Sequence, residues 1–177
     1  CIEIVQYECN PVTGEDLHFN EEVIKEGLSK RANGLKRYAY VRHDRDVYVD
    51  GEHLPEGKAV GEVRPAHWHV LLEFSNPAVV ESVADTFGVP MQYVEVKKGH
   101  GAFLDCVYYM THESDKEQAK GKVVYDREEV TLRGVTWFEV DTHLEHRFAR
   151  SLQNGSEDFY VLKVAKGEMT LTQVFEE

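Results

Sequence analysis

The chain has 177 residues, enough for one domain or for one domain with a small appendage. A hydrophobic share of 42% beside a charged share of 29% excludes a disordered or fibrous chain, and no apolar run reaches the roughly 20 residues of a membrane span. A formal net charge of −12 argues against nonspecific polyanion binding, which draws on Lys and Arg displacing counterions from phosphates.

Cys1, Cys9 and Cys106 are odd in number and lack metal-type spacing, so free thiols in a reducing cytoplasm are the simplest account. No signal-peptide pattern is present, and an opening at Cys1 without Met suits a fragment or a processed form. The charge is uneven. Residues 1–30 are rich in Asp and Glu, whereas 116–127 carries Lys116, Lys120, Lys122 and Arg127, which allows a local basic surface on an acidic body.

In chain order, I-E-I-V-Q-Y (2–7) reads as a strand, and N-E-E-V-I-K-E-G-L (20–28) as a helix capped by Asn20. R-Y-A-Y-V (37–41) is a strand that runs into H-D-R-D (43–46). Residues 47–65 are turn-rich, with Asp50-Gly51 and Glu56-Gly57 marking a hairpin or a mobile loop. H-W-H-V-L-L-E-F (67–74) is the next strand. N-P-A-V-V-E-S-V-A-D-T-F-G-V-P (76–90) predicts a helix capped by Asn76, started by Pro77 and stopped by Gly88 and Pro90. A strand over 91–96, a helix over 101–114 and a further strand over 122–125 follow. The order β-α-β-β-α-β-α predicts an α+β fold, with helices packed on a mainly antiparallel sheet. After about residue 130 the pattern changes to a helix from about Asp141 and a weakly periodic tail to Glu177.

Three elements offer chemistry. Trp68, Val70, Leu72 and Phe74 share one face of their strand and must be core, while His67 and His69 share the other. Two imidazoles on one strand face can chelate a cation; the alternative is a strand end with two half-exposed histidines. His43 and Asp46 lie at a strand end, where mixed imidazole and carboxylate ligation suits Mn²⁺ or Mg²⁺; read in isolation, the segment is a polar turn. On a helical wheel Phe103, Cys106, Val107 and Met110 form an apolar stripe. Tyr109 falls at its margin and Tyr108 about 100° away. A marginal phenol can pack its ring or serve as a nucleophile.

H-D-R-D, H-W-H with its apolar strand, and V-Y-Y-M-T-H-E-S with K-x-V-Y-D (122–126) downstream, in this order, resemble the HUH endonuclease superfamily, and within it the single-tyrosine Rep proteins of small rolling-circle plasmids. The resemblance spans about residues 35–141 and is most specific at Y-x-T-H-E-S. It implies an HUH endonuclease domain over 1–130, and over 131–177 a helical C-terminal segment that begins an oligomerisation region. It implies that His43, Asp46, His67 and His69 bind Mn²⁺ or Mg²⁺, with Asp46 preferred to Asp44, and that Tyr109 is the nucleophile. The implied activity is origin nicking and strand transfer through a 5′-phosphotyrosine link that frees a 3′-OH primer. The implied partners are origin DNA, the host replication machinery and a second copy of the chain. Lys97, Lys98, Lys116, Lys120, Lys122 and Arg127 are the expected DNA-contacting cations. The alternatives are a relaxase or transposase of the same fold, a non-catalytic DNA-binding module, or a metal-dependent hydrolase without a covalent intermediate.

Overall fold

A computed structural model describes residues 1–50, 54 and 57–153. They fall into two units, Cys1–Thr136 and a second beginning at Trp137. In the first, β1 (Ile2–Tyr7), β2 (Leu35–His43), β3 (His67–Phe74), β4 (Val94–Val96) and β5 (Thr131–Arg133) form one sheet in the order β4-β1-β3-β2-β5. Every pairing is antiparallel. The helices are α1 (Glu21–Lys30), α2 (Val80–Phe87), α3 (Ala102–Tyr109) and α4 (Asp115–Ala119), and α5 (Trp137–Gln153) makes up the described part of the second unit. This is the α+β fold expected from the sequence. Among the described residues no helix is long and apolar enough to cross a membrane, and the three cysteines are free.

The alternation in β3 gives the two faces of the sheet separate tasks. Trp68, Val70 and Leu72 join Ile2, Ile4 and Tyr40 in a core closed by Ile24 and Leu28 of α1 and by Val83, Ala84 and Phe87 of α2. Asn20 starts α1 as predicted, its Oδ1 accepting the N–H groups of Glu22 and Val23 at 3.0 and 3.1 Å. The opposite face carries Glu3, His43, His67 and His69, and α3 lies against it with Phe103 and Val107 buried, as is Met110 just after it.

Several boundaries differ from the sequence reading. Helix α2 begins at Val80 rather than at Pro77, and Asn76 caps nothing. Val79, at the N-cap position, is 63% exposed. Residues 91–93 form a 3₁₀ turn before the short β4. Helix α3 stops at Tyr109 and α4 follows separately. The strand expected over 122–125 is absent because its backbone is engaged elsewhere. Tyr125 N–H donates to Thr111 O at 2.9 Å, and Val123 O pairs with His112 Nδ1 at 3.0 Å. Helix α5 starts at Trp137, before the expected Asp141. Val47 bridges to Val63, which makes the base of the 47–65 excursion hairpin-like. Part of its tip and the tail beyond 153 lie outside the described residues.

The α1–α2 contact is close enough to require glycine. A Cβ on Gly27 would sit 2.6 Å from Cε1 of Phe87, a ring that is itself buried. Gly27→Ala gains helix propensity of up to about 1 kcal/mol, but overpacking a closed core costs about 1–3 kcal/mol. The expected outcome is a net loss of stability of order 1 kcal/mol, read as a lower urea midpoint. A raised midpoint would show that Phe87 can yield.

Candidate functional site

The site is built by strand register. His43 ends β2 directly opposite His67 at the start of β3, and Val41 stands opposite His69. All three imidazoles therefore project from the face opposite the α1–α2 core. Their ring centroids lie 5.4 Å (His43–His67), 4.7 Å (His43–His69) and 5.3 Å (His67–His69) apart. The turn after β2 brings Asp46 Oδ2 to 3.4 Å from His43 Nδ1 and 3.6 Å from His67 Nε2. Asp44 is turned away, accepting from Arg42 Nη1 at 2.6 Å, and stays outside the cluster.

The second ring nitrogens fix which lone pairs face inward. His67 Nδ1 lies 3.1 Å from Pro65 O and His43 Nε2 lies 2.8 Å from Met110 O. A carbonyl can only accept, so each of these nitrogens carries the proton. His69 Nδ1 lies 2.9 Å from Glu3 Oε1, an arrangement that sets the tautomer of metal-ligating histidines. Lone pairs are left at His67 Nε2, His69 Nε2 and His43 Nδ1. Both His43 Nδ1 and Asp46 Oδ1 are buried without a hydrogen-bond partner. Acceptors packed together in this way suit a cation among them.

Ligand atoms of His43, His67 and His69 lie within 4.8 Å of one another, and so do those of His43, Asp46 and His112. Metal–ligand bonds of about 2.0–2.3 Å place donors at most about 4.6 Å apart, so the two triads, sharing His43, could hold a metal ion. His112 is the addition that the sequence reading missed. It follows Tyr109 by three residues, which was the available signal. It adopts φ 54 and places Nδ1 3.8 Å from Asp46 Oδ1.

Electrostatics keep the imidazoles ready to coordinate. Burial lowers His67 to about 2, with the neighbouring charges of His69 and Arg64 adding to the effect. Burial and His43 lower His112 to about 4. Burial also lowers His69 despite its bond to Glu3. The carboxylates are lowered as well, against burial rather than by it. Burial acts to raise Glu3, but His69 and then Lys97 outweigh it and hold the acid at about 2. Burial is likewise overcome at Asp46, where the His43 contact holds the carboxyl below its ordinary value. Neutral imidazoles and ionised carboxylates are the forms that bind metal.

Tyr109 stands beside this cluster at the end of α3. Its ring meets His69 edge-on at 6.1 Å and His112 at 5.1 Å between centroids. Its hydroxyl accepts from Lys122 Nζ at 2.6 Å. Tyr125, fully buried, stacks on His43 at 4.2 Å and backs the cluster from the other side.

The other cations expected at DNA are mostly engaged. Lys97 pairs with Glu3 and Glu95, Lys120 with Glu117, and Arg127 with Glu113. Lys98 and Lys116 are exposed. The acidic N-terminal stretch, without a role in the sequence reading, supplies Glu3 beneath His69 and Glu8, which accepts from Arg42 and Trp68.

Residues 24–141 match the family described as plasmid replication protein, origin binding domain, and the chain belongs to that family. A replication protein of Onion yellows phytoplasma (strain OY-M) is 31% identical over 106 residues, which is 58% of this chain and 26% of the relative. The chain thus spans about a quarter of the length of the curated relative it matches.

The depressed histidines make folding sensitive to acid. From the ordinary 6.5 down to about 4 for His112 and about 2 for His67, the unfolded chain binds protons that the folded chain refuses. Stability therefore falls as pH drops below about 6.5, by up to about 1.4 kcal/mol per pH unit for each such histidine. Urea melts in chelator at pH 7.5, 6 and 5 should show a declining midpoint. A midpoint unchanged to pH 5 would contradict burial of the neutral rings.

Proposed function

We propose, on the premise of membership in the plasmid origin-binding family, that the chain is a rolling-circle replication initiator of the HUH type. On this reading it nicks and rejoins one strand of the origin, with residues 1–130 as the nicking domain and 131–177 as a segment for self-association. The observation that carries the proposal is the convergence of His43, Asp46, His67 and His69 beside the Tyr109 ring.

In the proposed reaction Tyr109 Oη attacks the scissile phosphorus in single-stranded or hairpin origin DNA. The Oη–P bond forms and the P–O3′ bond breaks. The phenol proton passes to solvent, and the departing 3′ oxygen takes one up to become the primer hydroxyl. The enzyme keeps the 5′ phosphate as a phosphotyrosine, which a later 3′-OH can attack to restore a phosphodiester. Phosphoryl transfer relies chiefly on alignment and charge, so one ordered phenol beside one cation site is sufficient equipment. His43, Asp46, His67 and His69 would hold a divalent cation, Mn²⁺ or Mg²⁺, which supplies positive charge at the scissile phosphate. The chain's own contribution is to dictate the tautomers, through Glu3, Pro65 and Met110, and to fix the ring of Tyr109 against His69 and His112.

Two outcomes test this reading. With Mn²⁺ and 3′-labelled single-stranded oligonucleotides tiled across the encoding replicon's origin, the chain should form an adduct that survives denaturation. Tyr109→Phe should abolish the adduct while leaving Mn²⁺ affinity, measured by calorimetry, within about twofold. An adduct that persists in Tyr109→Phe would remove the nucleophile assignment. Glu3→Gln keeps the shape but not the charge beneath His69, and it should weaken Mn²⁺ binding by about 10–100-fold. Unchanged affinity would place the metal elsewhere.

A further inference from the structure

The Lys122 ammonium has no part in the chemistry described so far, yet it is the polar group seated on the proposed nucleophile. Its side chain is 9% exposed, its Nζ donates to Tyr109 Oη at 2.6 Å, and the same nitrogen lies 4.8 Å from the centre of the phenol ring. Glu117 Oε2 sits 2.9 Å from Nζ on another side, and the Glu117 side chain is only 7% exposed.

Both partners are held by α4 and its flanks. Ser114 caps the helix through the Glu117 N–H. Gln118 Nε2 donates to His112 O at 2.7 Å and to Lys122 O at 3.2 Å, which ties the lysine backbone to the turn after Tyr109. Glu117 also accepts from Lys120 Nζ at 2.7 Å. One carboxylate is thus shared between two ammonium groups, and one of them, Lys122 Nζ, also rests against the phenol oxygen. Burying an ammonium is costly unless its hydrogen bonds are used, and a lysine needed only for Glu117 would be redundant beside Lys120.

We infer that Lys122, aimed by Glu117, is a catalytic residue of the nicking and joining reaction: it holds Tyr109 Oη in line and stabilises the negative charge on that oxygen. The inference rests on the function proposed above and names a further residue of the same site. In nicking, donation from Nζ leaves an Oη lone pair free to attack; the Oη–P bond forms, the P–O3′ bond breaks and the phenol proton goes to solvent. In joining, a 3′-OH attacks phosphorus, the P–Oη bond breaks, and the departing phenolate keeps the ammonium hydrogen bond until solvent reprotonates it. The ammonium stays charged throughout. Glu117 touches no reacting atom and acts as a positioning residue.

The test uses the whole chain with the same 3′-labelled oligonucleotides, Mn²⁺ and single-turnover conditions. Loss of one preorganised donor predicts that Lys122→Met and Lys122→Ala slow both adduct formation and rejoining by about 10²–10³-fold, with DNA and Mn²⁺ affinities within about twofold. Lys122→Arg restores the charge and should recover activity to within about tenfold of wild type. Glu117→Gln should cost about tenfold and add nothing on a Lys122→Met background.

A readout independent of activity is the ¹³Cζ tyrosine spectrum of the metal-free, DNA-free protein. The resonance missing from Tyr109→Phe should shift in Lys122→Met, while the thermal midpoint and circular dichroism confirm folding. Wild-type rates in both Lys122→Met and Lys122→Ala, or a Tyr109 resonance that does not move, would overturn the assignment of Lys122 while leaving Tyr109 as nucleophile. Absence of any adduct from the wild-type chain would instead bring down the nicking reading, and this inference with it.

Discussion

The register between β2 and β3 is the constraint on which the rest of the molecule depends. Side chains alternate with a period of two, so a slip of one residue exchanges the two faces of a strand. In the observed register His43 meets His67, and Trp68, Val70 and Leu72 enter the core with Ile24, Val83 and Phe87. After a slip, His67 and His69 would be pressed into that apolar core while Trp68 and Val70 turned toward α3. The hydrophobic effect acting on one face thus fixes the placement of the imidazoles on the other. The histidines of β2 and β3 need no separate device to bring them together; the core does it.

That economy leaves a second problem, because the placement buries ionisable groups. His43, His67, His69, His112, Asp46 and Glu3 are all largely shielded from water. Such groups are tolerated where each hydrogen bond is used or a counter-charge is near. Glu3 lies between His69 and Lys97, His67 and His43 donate to backbone carbonyls, and Tyr125 covers the His43 ring. Similar pairing occupies much of the basic inventory. Lys97, Lys120, Lys122 and Arg127 lie against carboxylates.

The legible part of the sequence was whatever local periodicity or capping dictates. The β1 and β3 boundaries, the Asn20 cap, the Gly88 stop and the apolar face of β3 all follow from neighbours along the chain. The four proposed metal ligands and Tyr109 came from motifs in a resemblance, and the structure places them side by side. What could not be read was set by distant partners. β5 is three residues long, too short for a period, and is a strand because Thr131–Arg133 pair with Tyr38–Tyr40. Glu3 is one of several acids in residues 1–30, and only the pairing of β1 with β3 sets it beneath His69. Lys122 looked like a free cation in a basic run because the chain reversal that returns it to Tyr109 has no one-dimensional signature.

That reversal also accounts for the segment most misread. K-V-V-Y has the β-branched and aromatic residues that strands favour, but its backbone closes on the turn after α3, through Tyr125 N–H to Thr111 O and Val123 O to the His112 ring. The result is a strap rather than a sheet edge. It carries Lys122 to the Tyr109 hydroxyl and Tyr125 to the face of His43, while the turn it holds presents Met110 O to His43 and His112 to Asp46. His112 keeps a left-handed backbone there, which a side chain bearing Cβ adopts at a cost of order 1 kcal/mol. The ring bond to Val123 offsets part of that cost. Y-M-T-H-E-S and K-x-V-Y-D are therefore one structural unit. Its spacing is the length of chain needed to leave the phenol, turn through α4 and come back with an ammonium.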